Sequence, residues 1–189
     1  MESACKILLI SGSLRAGSTN SAVLQTAHML GLDGIATSLC TGMDRLPHFN
    51  PDNDREGEPV QADVAALRAQ IRAADALLIC TPEYAGALPG ALKNLLEWTV
   101  GDAGTYAKPV GWINASGPAA PTGGADAHES LRKVLGYVGA DVVEAACVRI
   151  PVARSAVVDG AIEDVEVREP IAEVMQTLAE RVRARRDGA

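Results

Sequence analysis

Short apolar runs alternate along the chain with segments in which apolar residues recur every three or four positions. The runs cover residues 6–11, 35–39, 76–80, 110–115 and 145–150. Most of them are almost continuously apolar, which is typical of parallel strands that are covered on both faces. We therefore predict five β-strands at these positions.

The segments between the runs have the periodicity of amphipathic helices. The clearest stripe consists of Val60, Val64, Leu67, Ile71 and Ala74, spaced so that all lie on one helical face. Similar stripes are formed by Val23, Ala27 and Leu30, by Leu88, Leu92, Leu95 and Thr99, and by Ile171, Val174, Met175, Leu178 and Val182.

The resulting order is βαβαβαβαβα. Parallel strands need crossover connections, and these are almost always right-handed, so helices are expected on both faces of one sheet. The simplest fit is an α/β fold of the flavodoxin-like, three-layer αβα type. It has a five-stranded parallel sheet in the order 2-1-3-4-5. We expect residues 1–189 to form a single domain.

Composition narrows the possible partners. The chain has 189 residues, of which 48% are hydrophobic, and a formal net charge of -7. Binding to a phosphate backbone needs clustered Lys and Arg, so nucleic acid is not expected as a partner. No apolar stretch approaches the roughly 20 residues that span a bilayer. With no signal-peptide pattern either, we expect a soluble cytoplasmic protein without a membrane partner.

The cysteines do not indicate a metal site. Cys5, Cys40, Cys80 and Cys147 are far apart and form no CxxC pair. Cys80 and Cys147 lie in or beside apolar runs, where a reduced cysteine behaves as a small hydrophobic residue. We predict no metal ligands.

Residues 40–59 do not fit the short connections of this fold. They are rich in Asp, Asn, Pro and Gly, and loops of this length are uncommon unless they are functional or disordered. The segment Leu46-Pro47-His48-Phe49-Asn50 could bend over the site or over a partner subunit.

The first candidate binding segment, residues 10–20, joins the first predicted strand to a helix. A helix N-terminus offers unpaired N–H groups and the positive end of a dipole, so it is a natural anion site. Gly12 and Gly17 relax the backbone, and Arg15 adds donors suited to phosphate. The candidate phosphate-binding residues are Ser13, Leu14, Arg15, Ser18, Thr19 and Asn20.

Residue types distinguish between three kinds of phosphate loop. The nucleotide-triphosphate loop requires Lys where this chain has Ser18, and the dinucleotide fingerprint GxGxxG is missing. The third kind, a loop that binds a monophosphate such as the phosphate of FMN, is therefore the remaining possibility. The alternative is an ordinary helix start capped by Ser or Asn.

The second candidate segment follows the third predicted strand. A planar redox ring needs backbone N–H and C=O groups at its polar edge and few side chains in the way. Pro82, Glu83, Tyr84, Ala85 and Gly86 supply a stiff turn followed by small residues. The alternative is a plain strand-to-helix turn in which Tyr84 is a half-buried aromatic residue.

The motifs GSLRAGSTN at residues 12–20 and PEYAGALPGALKNLLEW at residues 82–98 together resemble the NADPH-dependent FMN reductase family. That family includes bacterial flavoproteins that reduce chromate, quinones and azo compounds. The resemblance covers most of the chain and weakens after about Val138. It implies FMN as the bound cofactor and NADPH or NADH as the electron donor.

Carried over by position, the resemblance implies that the polar residues of 13–20 hold the FMN phosphate. It also implies that residues 82–86 border the isoalloxazine, and that Ser116 and Gly117 touch the ring from a third loop. The sequence departs from the family at Ala85, where Asn is frequent, and at Pro118-Ala119-Ala120-Pro121, which makes the third loop longer and stiffer.

The resemblance also implies a ping-pong reaction, in which NAD(P)H reduces the flavin and a quinone, azo compound, metal oxyanion or free flavin then reoxidises it. The flavin performs the chemistry, so no residue is nominated as catalytic. A homodimer or homotetramer, with each flavin near a subunit boundary, is implied as well.

Two alternatives to the enzyme remain open on the sequence. A flavodoxin-type electron carrier would bind FMN but pass single electrons to protein partners, although its phosphate loop resembles T-G-N-T and lacks the Arg15 pattern. An FMN-binding regulatory protein would keep the site but exclude electron acceptors.

Overall fold

The computed structural model describes residues 3–117, 120 and 122–188. Its central sheet contains five parallel strands in the order β2-β1-β3-β4-β5, as the sequence predicts. The strands are β1 (Cys5–Ser11), β2 (Ile35–Leu39), β3 (Ala76–Cys80), β4 (Pro109–Asn114) and β5 (Asp141–Arg149).

Five helices cover the two faces of the sheet. They are α1 (Thr19–Met29), α2 (Ala62–Ala73), α3 (Gly90–Glu97), α4 (Ala125–Tyr137) and α5 (Val165–Asp187). Apolar residues of α1 and α5 pack on one face of the sheet, and those of α2, α3 and α4 pack on the other. Every residue of β3 and β4 is buried, which explains their continuously apolar sequences. The predicted flavodoxin-like three-layer architecture is confirmed.

Strand β5 differs from the prediction at its start. It begins at Asp141, four residues before the predicted start at Ala145, and its register against β4 shifts between Val110 and Trp112. Position 111 is glycine because a Cβ there would lie 2.7 Å from the Ala146 carbonyl oxygen. The bulge and the polar residues of an edge strand obscure the apolar run that marks the other strands.

A two-stranded hairpin, β6 (Val157–Val158) and β7 (Ala161–Ile162), lies between β5 and α5 and was not predicted. Its turn residues Asp159 and Gly160 both have positive φ, the backbone that a two-residue hairpin turn requires. The Asp-Gly pair was therefore the available sequence signal. The hairpin is tied to α1 by a hydrogen bond from the Ile162 N–H to Thr26 Oγ1, at 2.9 Å.

The long segment 40–59 is folded onto α2 and α3. The Pro47 carbonyl accepts hydrogen bonds from Asn94 Nδ2 and Trp98 Nε1, both at 2.9 Å. The Phe49 ring meets the Trp98 ring edge-on, with centroids 5.0 Å apart. A buried ion pair between Asp54 and Arg68, at 2.7 Å, fixes the rest of the segment. Residues 46–50 are thus held against α3.

No helix among the described residues is long and apolar enough to cross a membrane.

Candidate functional site

Three loops meet at the carboxyl edge of the sheet. They follow β1, β3 and β4, which are adjacent strands, so the loops lie side by side. We call them the first, second and third loops: residues 12–18, 81–89 and 115–124. Ligands of open α/β sheets bind at this edge. Every residue that the sequence nominated for the site belongs to one of these loops or to the first turn of α1.

The first loop is built from hydroxyl groups that bond to the backbone around them. Ser18 caps α1, since its Oγ accepts a hydrogen bond from the Asn20 N–H at 3.2 Å. Ser13 Oγ accepts from the Arg15 N–H at 3.3 Å. Ser13, Ser18 and Asn20 are buried, whereas Leu14 and Arg15 are exposed. The loop thus has a buried polar floor and an exposed cationic rim.

Arg15 is suited to meet an anion at this floor. Among the described residues its guanidinium forms no ion pair. It stands directly before a helix N-terminus, where backbone N–H groups and the helix dipole favour negative charge. Hydroxyls, amides and one guanidinium are the donors that a phosphate monoester requires. The donor set therefore fits the phosphate of FMN.

The first and second loops touch at Gly12. Its N–H donates to the Cys80 carbonyl at 2.7 Å. A Cβ at this position would lie 2.6 Å from Thr81 Oγ1. Only glycine allows the two backbones to approach this closely, so a phosphate group and a ring bound to the two loops can belong to one molecule.

Cys80 orients a residue of the phosphate loop. Its thiol donates to Asn20 Oδ1 at 3.4 Å, and burial raises the pKa of Cys80 far above its ordinary value. The thiol therefore remains a protonated donor. With Oδ1 held by Cys80, the amide Nδ2 of Asn20 points to Ser18 Oγ at 3.5 Å. The interpretation of Cys80 as an inert buried residue agrees with this environment, although the sequence did not indicate its contact with Asn20.

The second loop contains a tight turn. Tyr84 and Ala87 exchange two backbone hydrogen bonds, at 3.0 and 3.1 Å. The residues between them, Ala85 and Gly86, have φ of 51° and 70°. Left-handed backbone is unfavourable for Ala and tolerated by Asn, which gives a conformational reason for the Asn that the family often has at this position. The turn leaves Tyr84 51% exposed at the rim of the site.

Glu83 connects the second loop to the third. Its Oε1 accepts a hydrogen bond from Thr122 Oγ1 at 2.7 Å, and its Oε2 accepts from the Ala127 N–H at 3.2 Å. Ala127 lies in the first turn of α4, and the cap residue of that helix, Gly124, has no side chain to offer. The Glu83 carboxylate thus caps α4 from another loop. Both carboxylate oxygens of Glu83 are thus engaged within the protein.

Asn114 organises the third loop and was not among the nominated site residues. It is 1% exposed. Its Nδ2 donates to the Thr81 carbonyl and its Oδ1 accepts from the Ser116 N–H, both at 2.9 Å. Gly124 must remain glycine because a Cβ there would lie 2.2 Å from the Asn114 side chain. A polar residue that ends a buried strand was the signal for this role.

Asn114 therefore fixes Ser116 beside the second loop. Gly117 follows it, and a Cβ there would be in ordinary van der Waals contact with the Val152 carbonyl oxygen, at 3.9 Å. Pro118, Ala119 and Pro121, on which the expected stiffness of this loop rested, lie outside the described residues.

His128 lies on α4 behind the third loop. Its ring meets the Trp112 ring edge-on, with centroids 5.6 Å apart. Burial, helped by the cations Arg149 and Arg132, lowers the pKa of His128 to about 4. The imidazole is therefore neutral at pH 7. Its Nε2 has no hydrogen-bond partner in the part of the chain that the structure describes.

Comparison with known proteins agrees with this geometry. Residues 5–154 match the family described as NADPH-dependent FMN reductase. An NAD(P)H-dependent FMN reductase of Pseudomonas aeruginosa is 38% identical over 176 residues, which cover 92% of each chain. A quinone reductase of Escherichia coli is 32% identical over 145 residues, 76% of each chain.

The fold has a close counterpart among solved structures. The flavoenzyme FerB of Paracoccus denitrificans, an NAD(P)H:(acceptor) oxidoreductase, superposes with a TM-score of 0.76 and covers 96% of this chain and 98% of its own. At 24% identity this likeness shows the fold alone. The match over most of the chain, together with the two relatives, shows that the chain belongs to the NADPH-dependent FMN reductase family and is an oxidoreductase that works with FMN and NAD(P)H.

Proposed function

We propose that this chain is a ping-pong reductase. In this proposal it takes two electrons from NADPH or NADH and passes them to a quinone, an azo compound, a metal oxyanion or free flavin. The single observation that carries the proposal is the junction at Gly12, where a phosphate-type loop and a ring-type loop meet within contact distance. Two relatives are described as an FMN reductase and a quinone reductase.

Bound FMN would supply the two-electron redox chemistry between donor and acceptor. The chain itself binds and orients. Ser13, Ser18, Thr19 and Asn20 would hold the phosphate together with the α1 N-terminus and Arg15. The backbone of Pro82, Ala85 and Gly86 would border the ring on one side, and Ser116 and Gly117 on the other. Tyr84, half exposed at the rim, would form a wall against which flat molecules can stack.

A broad acceptor range follows from this construction. The turn at residues 84–87 and the glycine at 117 leave few side chains at the ring position. A site with few polar side chains recognises shape more than specific groups, so flat acceptors of different chemistry can use it. Donor and acceptor would occupy the same place in turn, which is the structural basis for ping-pong kinetics.

We also propose that residues 1–189 act as one FMN-binding domain and that the chain forms a homo-oligomer. A cavity of about 300 Å³ between α3 and α4 has mainly apolar walls. Val100 and Tyr137 line it and are 61% and 87% exposed. An apolar surface of this kind is typical of a protein–protein contact. Light scattering on the wild type and on Tyr137→Glu tests this: a dimer or tetramer that the substitution dissociates supports the proposal, and a monomeric wild type contradicts it.

The activity is tested by the visible spectrum of the purified, FMN-loaded protein under anaerobic conditions. Loss of the oxidised flavin absorbance within seconds of adding stoichiometric NADPH or NADH would support a reductase. FMN that binds but stays oxidised would favour the carrier or regulatory alternative. Failure to bind FMN would contradict the proposed site.

Initial rates at several fixed quinone concentrations then test the order of substrates. Parallel double-reciprocal lines are expected for one site used in turn. Intersecting lines would show that donor and acceptor are bound together, and would contradict the ping-pong proposal.

A further inference from the structure

The carboxyl end of β5 carries an arginine beside the third loop. Arg149 is the last residue of β5 and pairs in register with Asn114, the residue that organises the loop. Its Nη1 donates to the Thr122 carbonyl at 3.5 Å and lies 3.4 Å from where a Cβ on Gly123 would stand. The side chain therefore lies along the far end of the third loop.

A second arginine follows on the same side. Arg154 begins a 3-10 turn, Arg154–Ala156, shortly after β5 ends. The segment leading to it runs beside the third loop, since the Ile150 N–H donates to the Asn114 carbonyl at 2.9 Å. The Val152 carbonyl lies 3.9 Å from where a Cβ on Gly117 would stand. Arg154 thus belongs to the segment that borders the loop.

Both arginines are exposed and neither forms an ion pair among residues 3–117, 120 and 122–188. The neighbouring Arg132 is different: its guanidinium makes two hydrogen bonds, at 2.8 and 2.7 Å, to Glu144. The chain carries 24 acidic residues against 17 Lys and Arg. The Arg149 guanidinium beside the loop, and Arg154 on the segment that borders it, thus place two unpaired cations at this end of an acidic protein, which favours an anionic ligand there.

Arg15 lies on a different part of this edge. The strands β1 and β5 are separated by β3 and β4, three strand spacings, or about 14 Å. Arg15, which is proposed to meet the phosphate of FMN, therefore follows β1, whereas Arg149 and Arg154 lie at and after the end of the edge strand β5. The space between them belongs to the second and third loops.

The substrate that brings further phosphates to this edge is the nicotinamide nucleotide. Resting on the proposed function, we propose that Arg149 and Arg154 bind the 2′-phosphate of NADPH, so that NADPH is the preferred donor over NADH. The chemistry fits, because a terminal phosphate monoester is the group that arginine binds with two charge-assisted hydrogen bonds.

The test compares both donors in the FMN-loaded protein, with one quinone as acceptor. The double variant Arg149→Gln/Arg154→Gln should lower kcat/KM for NADPH about tenfold or more, the effect of losing one charge-assisted interaction, and should leave kcat/KM for NADH almost unchanged. Arg183→Gln, which removes a charge near Cys5 at the other end of the sheet, is the matched control and should change neither value.

Three results would overturn the assignment: equal losses with both donors, no loss with either, or a wild type that prefers NADH. A variant that still turns over NADH shows that the reductase itself is intact. Failure of the proposed 2′-phosphate site can therefore be distinguished from failure of the proposed reductase function. No turnover of the wild type with either donor would remove the proposed function and this assignment together. Added salt should lower the ratio of kcat/KM for NADPH to kcat/KM for NADH in the wild type, because ions screen exposed charges.

Discussion

The two ends of the sheet differ in how most of their arginines are paired, with Arg183 at the amino end as an exception that has no ion pair among the described residues. At the amino end each of three arginines pairs with an aspartate: Arg72 with Asp102, Arg181 with Asp141, and Arg186 with Asp75, at 2.6 to 2.9 Å. At the carboxyl end Arg15, Arg149 and Arg154 form no ion pair in the described part of the chain. An arginine that is paired with an aspartate joins two elements of the fold. An arginine without an acidic partner remains available to bind a ligand.

Polar side chains also connect the elements at the carboxyl end. Asn114 and Asn20, which are buried, and Glu83, which is partly buried, bond to residues of other elements or loops. Such bonds fix loop positions that no strand or helix determines. The exposed cations of this end are therefore carried on loops and strand ends that a few polar side chains hold in place.

Asn114→Ala should give the largest effect. It removes both side-chain bonds and leaves the Thr81 carbonyl and the Ser116 N–H without partners in a buried place. We expect the free energy of unfolding to fall by about 3 kcal/mol, measured by urea denaturation. A loss below about 1 kcal/mol, the size expected for one exposed bond, would contradict the role of Asn114 as the organiser of this end.

Arg15→Ala compares the two ends directly. We expect FMN binding to weaken by about 1.5–3 kcal/mol, the contribution of a charge-assisted hydrogen bond, measured by flavin fluorescence titration. Arg186→Ala is the control from the amino end, where the arginine pairs with Asp75. It should leave FMN affinity unchanged. Equal effects of the two substitutions would abolish the distinction between the ends.

Acid should weaken the fold through His128. Its pKa is about 4 in the folded protein and about 6.5 in the unfolded chain. Between these values the unfolded chain binds more protons, so stability is complete above pH 6.5 and falls as the pH drops towards 4. We expect a loss of about 1–2 kcal/mol, after allowing for partial solvent screening.

The check is the unfolding free energy at pH 7 and at pH 4.5, for the wild type and for His128→Gln. The variant should lose less stability than the wild type over this interval. An identical loss would show that other groups cause the acid sensitivity.

The smallest effect is expected for Ala85→Asn, which tests the turn of the second loop. Asn tolerates left-handed backbone better than Ala does, so Ala85→Asn should raise the free energy of unfolding by about 0.5 kcal/mol. Ala85→Val should lower it by about 1–2 kcal/mol, because a β-branched residue is strained at φ of 51°. Urea denaturation measures the free energy of unfolding of both variants. A Val variant that is more stable than the wild type would contradict the left-handed backbone at residue 85.

The sequence predicted the parts of the fold that depend on local pattern. Strands β1, β2 and β3 end at the residues where their apolar runs end. The edge strand β5 was predicted to start four residues too late and to end one residue too late, because its bulge interrupts the run. The hairpin β6–β7 was missed, although its Asp-Gly turn was visible in the sequence.

For the site, the sequence indicated which loops matter but not which side chains connect them. The first two loops could be identified because glycine, hydroxyl and proline residues cluster between an apolar run and a helix. The roles of Asn114, Glu83 and Cys80 could not be read this way. Each of them contacts a residue far away in the sequence, and sequence spacing carries no information about such a contact.

The amino-acid pattern by itself determined the alternating order of strands and helices, because hydrophobic periodicity acts within one element. That order and the loop motifs were sufficient to indicate the family. Only the tertiary structure decided how the loops are held. The thiol of Cys80 orients Asn20 and the Glu83 carboxylate caps α4. Among the described residues, Arg15, Arg149 and Arg154 lack acidic partners. These features depend on distances between elements, which arise only when the sheet is assembled.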